Sequence, residues 1–365
     1  MTETSSDARR YAVIRYRLLL VDTAVSWAFL AAFQFSGASA ALAGWWAQRS
    51  GSEPLVVLGY AAVFGALAYL AGFPTHLYGS YVLEHRFGLS RMTPASWVGR
   101  EIKHLAVGGV LSALLLEGLY LLLRIAPTQW PFYATVGWII ISVVLVRVFP
   151  TILLPLFYKT TPVEDQELVN RLLTLCGKVR LEALGVFRFN LGAETRKANA
   201  ALAGLGKTRR VLLSDTLIQE FTPEEIEGVL AHELAHYRFH HIAKLLVISA
   251  VGSWIAFAVT DAAARKWVEA LGLSGLADIA GLPMLLLWLS LLGVIGLPMQ
   301  NALSRRFEWQ ADRFAIATTL PRAFAEALTR LAKLNLADPS PPWWVVWMFY
   351  DHPPISERIQ AAERA

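Results

Sequence analysis

The sequence has few charged residues and a single cysteine. Charged side chains make up 17% of the 365 residues, against roughly 25% in an average soluble domain. Hydrophobic residues make up 55%, which excludes a wholly soluble globular protein, a disordered chain and a coiled coil. Cys176 cannot form an intrachain disulfide, so the sequence excludes a disulfide scaffold and gives no sign of an oxidising compartment.

The net charge of +5 is modest. Because the arginines cluster beside apolar runs, this charge fits loops that face the cytoplasmic leaflet of a membrane better than a nucleic-acid surface. We therefore expect membrane lipids, and no nucleic acid, among the partners of the protein.

Long apolar runs dominate the chain. A transmembrane helix needs about 20 apolar residues to cross about 30 Å of hydrocarbon. Six stretches reach this length: 18–37, 55–75, 104–124, 131–157, 242–260 and 277–299. The stretch 74–84 is a weaker seventh, because it contains Pro74. The first stretch is too long for a removable signal peptide and is interpreted as an anchor. The sequence predicts a mainly α, polytopic helical membrane protein with six or seven transmembrane helices.

The distribution of basic residues predicts the orientation. The N-terminal tail and the 76–103 loop are rich in arginine, whereas the 38–54 loop holds only Arg49. By the positive-inside rule the N-terminus is cytoplasmic. Composition suggests a bacterium, so we expect a multi-pass inner-membrane protein with its active site on the cytoplasmic side. The expected regions are a transmembrane region of four or five spans, a cytoplasmic insert, two further spans and a cytoplasmic C-terminal segment: 1–158, 159–241, 242–299 and 300–365.

Three predicted spans carry ionisable residues: Asp22, Glu117 and Arg147. Such groups are costly in lipid and usually face a partner or a water-filled cavity. Two interpretations have equal weight: a structural pair of Glu117 with Arg147, or a wet chamber between the helices.

Residues 159–241 lose the apolar character and predict an α+β domain. A helix is expected over 162–179, and short strands over 186–190, 198–203 and 209–214. Thr222, Pro223 and Glu225 form the pattern of a helix N-cap with a capping box, so a helix should begin near 223.

That helix contains the motif His232-Glu233-Leu234-Ala235-His236. Two histidines four residues apart lie on one helical face, so both imidazoles can reach one metal ion. A zinc ion lowers the pKa of water to about 7, and the adjacent Glu233 can take the proton as a general base. Phe239 and Ile242 stand where a metzincin has glycine and histidine, which excludes that class. We expect His240 and His241 to be surface residues.

A catalytic zinc needs a third protein ligand. Glu308 and Asp312 are four residues apart on a predicted helix and share a face. Glu308 is the candidate ligand, and Asp312 can accept the second N–H of a ligating histidine and so fix its ring.

Together these segments resemble the integral-membrane gluzincin peptidases, and within them the CAAX prenyl protease 1 type. The resemblance rests on the zinc helix and five further segments: 84–89, 197–211, 214–217, 304–312 and 351–359. It implies one zinc ion per chain, bound by His232, His236 and Glu308, and a helical chamber within the membrane. It also implies that His352 and Arg358 stabilise the oxyanion, and that Asn199 and Ala200 lie on an edge strand that pairs with the substrate.

The sequence therefore predicts a membrane-embedded zinc endopeptidase with a cytoplasmic zincin-type domain, acting on peptides or proteins that are lipidated or membrane-inserted. Two alternatives stay open. One is a quality-control zinc protease for membrane proteins. The other is a transporter or binding protein with a structural zinc, which Glu233 argues against, since a structural site has no use for a general base.

Overall fold

A computed structural model of the protein describes residues 2–365, without the side chains of residues 2–5 and 207. The N-terminal half is helical: α1 Thr2–Phe35, α2 Ala38–Ala47, α3 Glu53–Leu77, α4 Leu83–Arg86, α5 Pro94–Ile125, α6 Trp130–Val148 and α7 Leu154–Phe157. Two π-helical turns join helices without a break, Tyr78–Val82 between α3 and α4 and Phe149–Leu153 between α6 and α7.

The rest of the chain mixes helices with a small sheet. Its helices are α8 Gln166–Lys178, α9 Asp215–Glu220, α10 Pro223–Arg238, α11 His241–Ala270, α12 Leu282–Thr318, α13 Pro321–Leu334, α14 Trp343–Phe349 and α15 Ile355–Glu363. Its strands are β1 Thr160–Pro162, β2 Val186–Phe189, β3 Ala200–Ala203 and β4 Arg210–Ser214.

The six predicted spans are confirmed. Within the described residues, six helices are long and apolar enough to cross a membrane: Ser6–Phe35, Glu53–Arg86, Pro94–Ile125, Trp130–Phe157, His241–Ala270 and Ile279–Thr318. The weaker seventh stretch, 74–84, is the continuation of the second span. Helix α2 has 10 residues, which is too short to span a bilayer.

The last span, α12, leads from the membrane region into a second domain, which contains the sheet and helices α8, α10, α13 and α15. Helix α12 runs unbroken for 37 residues, about 55 Å at 1.5 Å per residue. Its first half is apolar, and its second half packs against α10 and α13. A single rigid element therefore fixes the distance between the bilayer and the residues near 308.

The strands form one sheet in the order β1-β2-β4-β3. β1 and β3 are its edges; β2 and β4 are parallel, and the other two pairs are antiparallel. The predicted strands are present but shorter. β1 was not predicted, because it has three residues and ends in Pro162, which is acceptable only at an edge. Because Pro162 belongs to β1, α8 begins later than the predicted residue 162. It begins at Gln166, where the Asp165 side chain caps it.

The core of the second domain lies between the sheet, α8, α10, α13 and α15. One face of α10 is buried in it, including Leu230, Ala231 and Leu234. α13 approaches α10 closely at Gly228, where a Cβ atom would meet the Cα of Phe324 at 3.2 Å. This contact holds the other face of α10 toward α12.

The loop after α4 fastens the membrane helices to the sheet. Ser90 and Thr195 form an isolated antiparallel bridge, and the Lys197 ammonium lies 2.8 Å from Glu84 Oε2. The Tyr11 hydroxyl of α1 donates to the same carboxylate. Because Lys197 precedes β3 by three residues, these contacts fix the edge strand relative to the membrane region.

Candidate metal centre

Helix α10 presents two histidines to one point. The predicted capping box is present: Glu225 N–H donates to Thr222 Oγ1 at 3.3 Å, and Thr222 N–H donates to Glu225 Oε2 at 2.7 Å. This cap fixes where the helix starts, and two turns later His232 and His236 lie on the same face. Their Nε2 atoms are 3.3 Å apart.

Helix α12 brings Glu308 to the same point. Its Oε2 lies 3.2 Å from His232 Nε2, and its Oε1 lies 3.3 Å from His236 Nε2. Oε2 is buried and has no hydrogen-bond partner of acceptable geometry. Within the described part of the chain, these three residues form the one group whose ligand atoms can hold a metal ion. A buried carboxylate oxygen without a proton donor fits a metal ligand, so the donor set fits a bound cation.

A buried ion pair supports His232 from behind. Its Nδ1 lies 2.9 Å from Asp312 Oδ1. Arg358 binds the same carboxylate with two donors, Nε to Oδ2 at 2.8 Å and Nη2 to Oδ1 at 2.7 Å. Because the carboxylate accepts the proton of Nδ1, Nε2 is the atom left to bind a metal, and it points toward Glu308.

A neutral pair of residues, His241 and Gln310, supports His236. The prediction that His241 lies at the surface is wrong. His241 is fully buried; its Nδ1 lies 3.0 Å from His236 Nδ1, and its Nε2 lies 3.0 Å from Gln310 Oε1. The amide oxygen can only accept, so His241 Nε2 carries the proton and its Nδ1 accepts from His236. His236 Nε2 is therefore left as a lone pair.

The error has a physical cause. The prediction placed His240 and His241 at the surface after the zinc motif, but α10 ends at Arg238, and His240 adopts a left-handed conformation with φ of 56°. The chain reverses there, and α11 begins at His241. The ring of His241 stacks on Phe307, with centroids 4.4 Å apart. His240 is exposed, as predicted.

His352 and Arg358 reach the site from the C-terminal segment. His352 Nε2 lies 3.2 Å from Glu308 Oε2, and its Nδ1 lies 2.8 Å from Asp351 Oδ1. His352 is half-exposed, whereas Arg358 is buried behind His232. Two donors of Arg358 are occupied by Asp312, and Arg358 also lines the cleft beside His232.

A cleft of about 220 Å³ opens beside the metal ligands. Its apolar wall comes from α10 and α13 and includes Val229, Leu328 and Leu331. Its polar wall brings together residues that the sequence singled out: Asn199, Ala200, His232, Glu233, His352 and Arg358.

Strand β3 forms one rim of this cleft. Ser214 N–H donates to the Asn199 carbonyl at 2.9 Å, so Asn199 faces β4. Alternation along an antiparallel ladder then directs the N–H and C=O of Ala200 away from β4. Since β3 is an edge of the sheet, these groups face the open side.

Burial and charge shift the pKa values in the site. Burial raises the pKa of Glu233. Burial opposes the charged form of His232, but the hydrogen bond to Asp312 and the nearby Glu308 carboxylate raise the pKa of His232 to about 9. Burial and the neighbouring His232 lower the pKa of His236 to about 4. A metal ion that binds His232 must displace a proton, so its affinity should fall as the pH is lowered.

Glu117 and Arg147 do not form the structural pair that was one of the two interpretations of the ionisable residues in the spans. Within the described residues, no ion pair joins Glu117 to Arg147. Arg147 is exposed near the end of α6, where its long side chain can reach the headgroup region. Asp22 accepts a hydrogen bond from Thr75 at 2.9 Å and lines a cavity of about 530 Å³ that extends to Lys197; the wet chamber between the helices stays a prediction.

Comparison with known proteins covers the whole chain. A family model described as "CAAX prenyl protease N-terminal, five membrane helices" matches residues 1–159. A model of peptidase family M48 matches residues 162–365.

Individual relatives agree with these models. An uncharacterized metalloprotease of Bacillus subtilis, YhfN, is 27% identical over 98% of this chain and 85% of its own length. CAAX prenyl protease 1 of Saccharomyces cerevisiae is 27% identical over 83% of this chain and 71% of its own. The crystal structure of S. mikatae Ste24p superposes with a TM-score of 0.88 at 23% identity, covering 100% of this chain and 90% of that one. The predicted fold class is confirmed.

Proposed function

Since the chain belongs to peptidase family M48, we propose that this membrane-embedded metalloprotease binds one zinc ion through His232, His236 and Glu308. The observation that carries the proposal is the convergence of three residues from two helices, whose ligand atoms all lie within 4.8 Å of one another. Two ligands about 2.0–2.1 Å from zinc at a tetrahedral angle are about 3.3 Å apart. The 3.3 Å between the two imidazole Nε2 atoms fits tetrahedral zinc, with Glu308 as the third ligand and the fourth position left to water and substrate.

The chemistry of hydrolysis divides between the ion and Glu233. A zinc ion held here supplies Lewis-acid activation of water and of the scissile carbonyl. Glu233 follows His232 and lines the same cleft. Its carboxylate takes a proton from the attacking water and passes it to the amide nitrogen of the leaving peptide. The raised pKa of Glu233 makes its carboxylate a stronger base than an ordinary glutamate.

His352 and Arg358 supply positive charge where the carbonyl oxygen gains negative charge. The Asp351 carboxylate and the nearby Glu308 favour the protonated imidazole, so the pKa of His352 is raised although burial opposes it. A protonated His352 donates from Nε2 toward the cleft, as an oxyanion stabiliser must. Arg358 adds its positive charge beside the cleft that it lines, and through Asp312 it also orients His232.

The substrate is a peptide or protein, and we propose that it lies along β3. The outward N–H and C=O of Ala200 can pair with an extended substrate backbone, with Asn199 beside it. The cavity near Asp22 reaches Lys197 at the start of this rim, which supports entry of the substrate from the membrane region. We extend this to apolar, lipidated or membrane-inserted tails, because the yeast relative bears the name CAAX prenyl protease 1.

We also propose how the two metal-binding histidines are held in place and where the protein lies in the membrane. His241 with Gln310 positions His236 as Asp312 with Arg358 positions His232. We propose that the zinc domain lies on the cytoplasmic side of a bacterial inner membrane, which the arginine-rich N-terminal tail supports. Residues 1–158 would be the membrane region, and 159–241 with 300–365 the protease domain, joined by the two spans in 242–299.

The test is mass spectrometry of products from a panel of peptides, with and without a farnesylated cysteine. Purified full-length protein should cleave peptide bonds, a chelator should stop cleavage, and added zinc should restore it. Glu233→Gln should keep one zinc per chain and lose hydrolysis, because an amide cannot take the proton. Full activity of Glu233→Gln, or cleavage that a chelator does not affect, would refute the assignment.

A further inference from the structure

Helix α14 exposes three tryptophans next to the catalytic segment. In the run Trp343-Trp344-Val345-Val346-Trp347, Val345 is fully buried. The tryptophans at 343, 344 and 347 are 78%, 45% and 54% exposed. No charged residue lies between Asp338 and Asp351. A short helix with a buried side and a large aromatic side needs a partner for that aromatic side.

The helix is fixed at the level where the last span leaves the apolar region. The Asn301 amide donates to the Met348 carbonyl at 2.7 Å, and Arg305 donates to the Val346 carbonyl at 2.9 Å. Met299, two residues before Asn301 on α12, is one of the most exposed apolar residues of the chain. Since α12 rises about 1.5 Å per residue, α14 lies within about one to two turns of a lipid-facing surface.

Charged residues mark the same level. The Tyr350 hydroxyl at the end of α14 lies 2.6 Å from the Tyr16 hydroxyl of α1, between Arg15 and Arg17. A groove of about 660 Å³ is lined by Arg9, Arg10 and Arg17 of α1 and by Arg86, with the buried Asp338 beside them, five residues before α14. Tryptophan beside arginine at the end of apolar spans is the composition of a membrane–water interface.

We propose that α14 lies in the headgroup region of the bilayer and inserts Trp343, Trp344 and Trp347 into it, while the arginine groove faces anionic lipid phosphates. The occupant of the aromatic face is the bilayer, because that face continues the lipid-facing surface of α12. Insertion itself does not depend on catalysis. Its consequence does rest on the proposed function: His352 follows α14 by three residues, so the bilayer surface supports the loop that carries His352.

The test places a fluorophore at three positions of the full-length protein in lipid nanodiscs. Trp347→Cys probes α14, Ile295→Cys is the lipid-facing control, and Leu320→Cys is an exposed control about 30 Å beyond Met299 along the direction of α12. The native Cys176 is buried, which raises the pKa of its thiol to about 11, so it should not react under mild labelling conditions. Quenchers are a phospholipid spin-labelled near its headgroup and iodide in water.

The label at 347 should be quenched severalfold more by the lipid than the label at 320, and less by iodide. Quenching should strengthen when anionic lipid replaces zwitterionic lipid. The same result is expected in a Glu233→Gln background, so a failure of catalysis and a failure of insertion are distinguishable. A label at 347 that behaves like the label at 320 would overturn the proposal. So would protection from both quenchers, which indicates a second copy or another protein on this face.

Discussion

The two histidines of α10 are held from behind by different chemistry. Behind His232 lies an ion pair, Asp312 with Arg358, both buried. Behind His236 lies a neutral pair, His241 with Gln310. Both arrangements place an acceptor beside Nδ1 and leave Nε2, directed toward Glu308, as the atom that can bind a metal.

The two histidines are oriented in the same way, but mutations of their two supports should differ in their effect on stability. Losing one member of a buried ion pair strands the other charge, which costs both stability and metal affinity. Losing a member of the neutral pair releases only the orientation of a ring. Mutations on the two sides should therefore separate in stability even where they agree in metal affinity.

The largest effect is expected from Asp312→Leu. The guanidinium of Arg358 would stay buried without its partner, so the free energy of unfolding should fall by about 3–5 kcal/mol. Denaturant unfolding in mixed micelles measures this change. The double variant Asp312→Leu/Arg358→Leu should recover most of the lost stability but not the metal affinity. Equal stability of the single and double variants would contradict the account of this side.

A smaller effect is expected from His241→Phe. Phenylalanine keeps the stacking on Phe307 but removes the acceptor for His236, so zinc affinity should fall about 10–100-fold while the unfolding transition changes little. Competition with a fluorescent chelator measures the affinity. His240→Asn is the control, because that residue is adjacent and exposed and asparagine tolerates the left-handed backbone there; it should bind zinc as the wild type does. Equal affinities of the two variants would remove His241 from the site.

The smallest effect is expected from Gln310→Leu. It leaves His241 in place but removes the acceptor that fixes its tautomer, so zinc affinity should fall less than in His241→Phe. The same competition assay ranks the two variants. A loss at Gln310 larger than the loss at His241 would show that the amide acts on the site by another route.

The sequence was sufficient for the parts of the site that follow a regular helix. His232 with His236, and Glu308 with Asp312, are each four residues apart, and helical spacing alone puts each pair on one face. His241 was missed because its position depends on where α10 ends. No signal in residues 237–241 marks the left-handed turn at His240, which has neither glycine nor proline.

The fold shows the same division. The six spans were predictable because their apolar runs are long, and the start of α10 was predictable because Thr222 and Glu225 form a local capping box. β1 and the start of α8 were not predictable, because Pro162 fits the first residue of a helix as well as the last residue of an edge strand. The order of the strands and the packing of α12 against α10 depend on tertiary contacts that no local pattern predicts. The prediction that Glu308 meets His232 and His236 rested only on the need of a catalytic zinc for a third ligand.

Zinc K-edge X-ray absorption on the purified full-length protein, beside Glu308→Ala, tests the central claim most directly. The account predicts one zinc per chain with nitrogen and oxygen ligands at about 2.0–2.1 Å, two of them imidazoles, and a large loss of bound zinc in Glu308→Ala. A sulfur ligand, or a spectrum and stoichiometry that Glu308→Ala leaves unchanged, would contradict it.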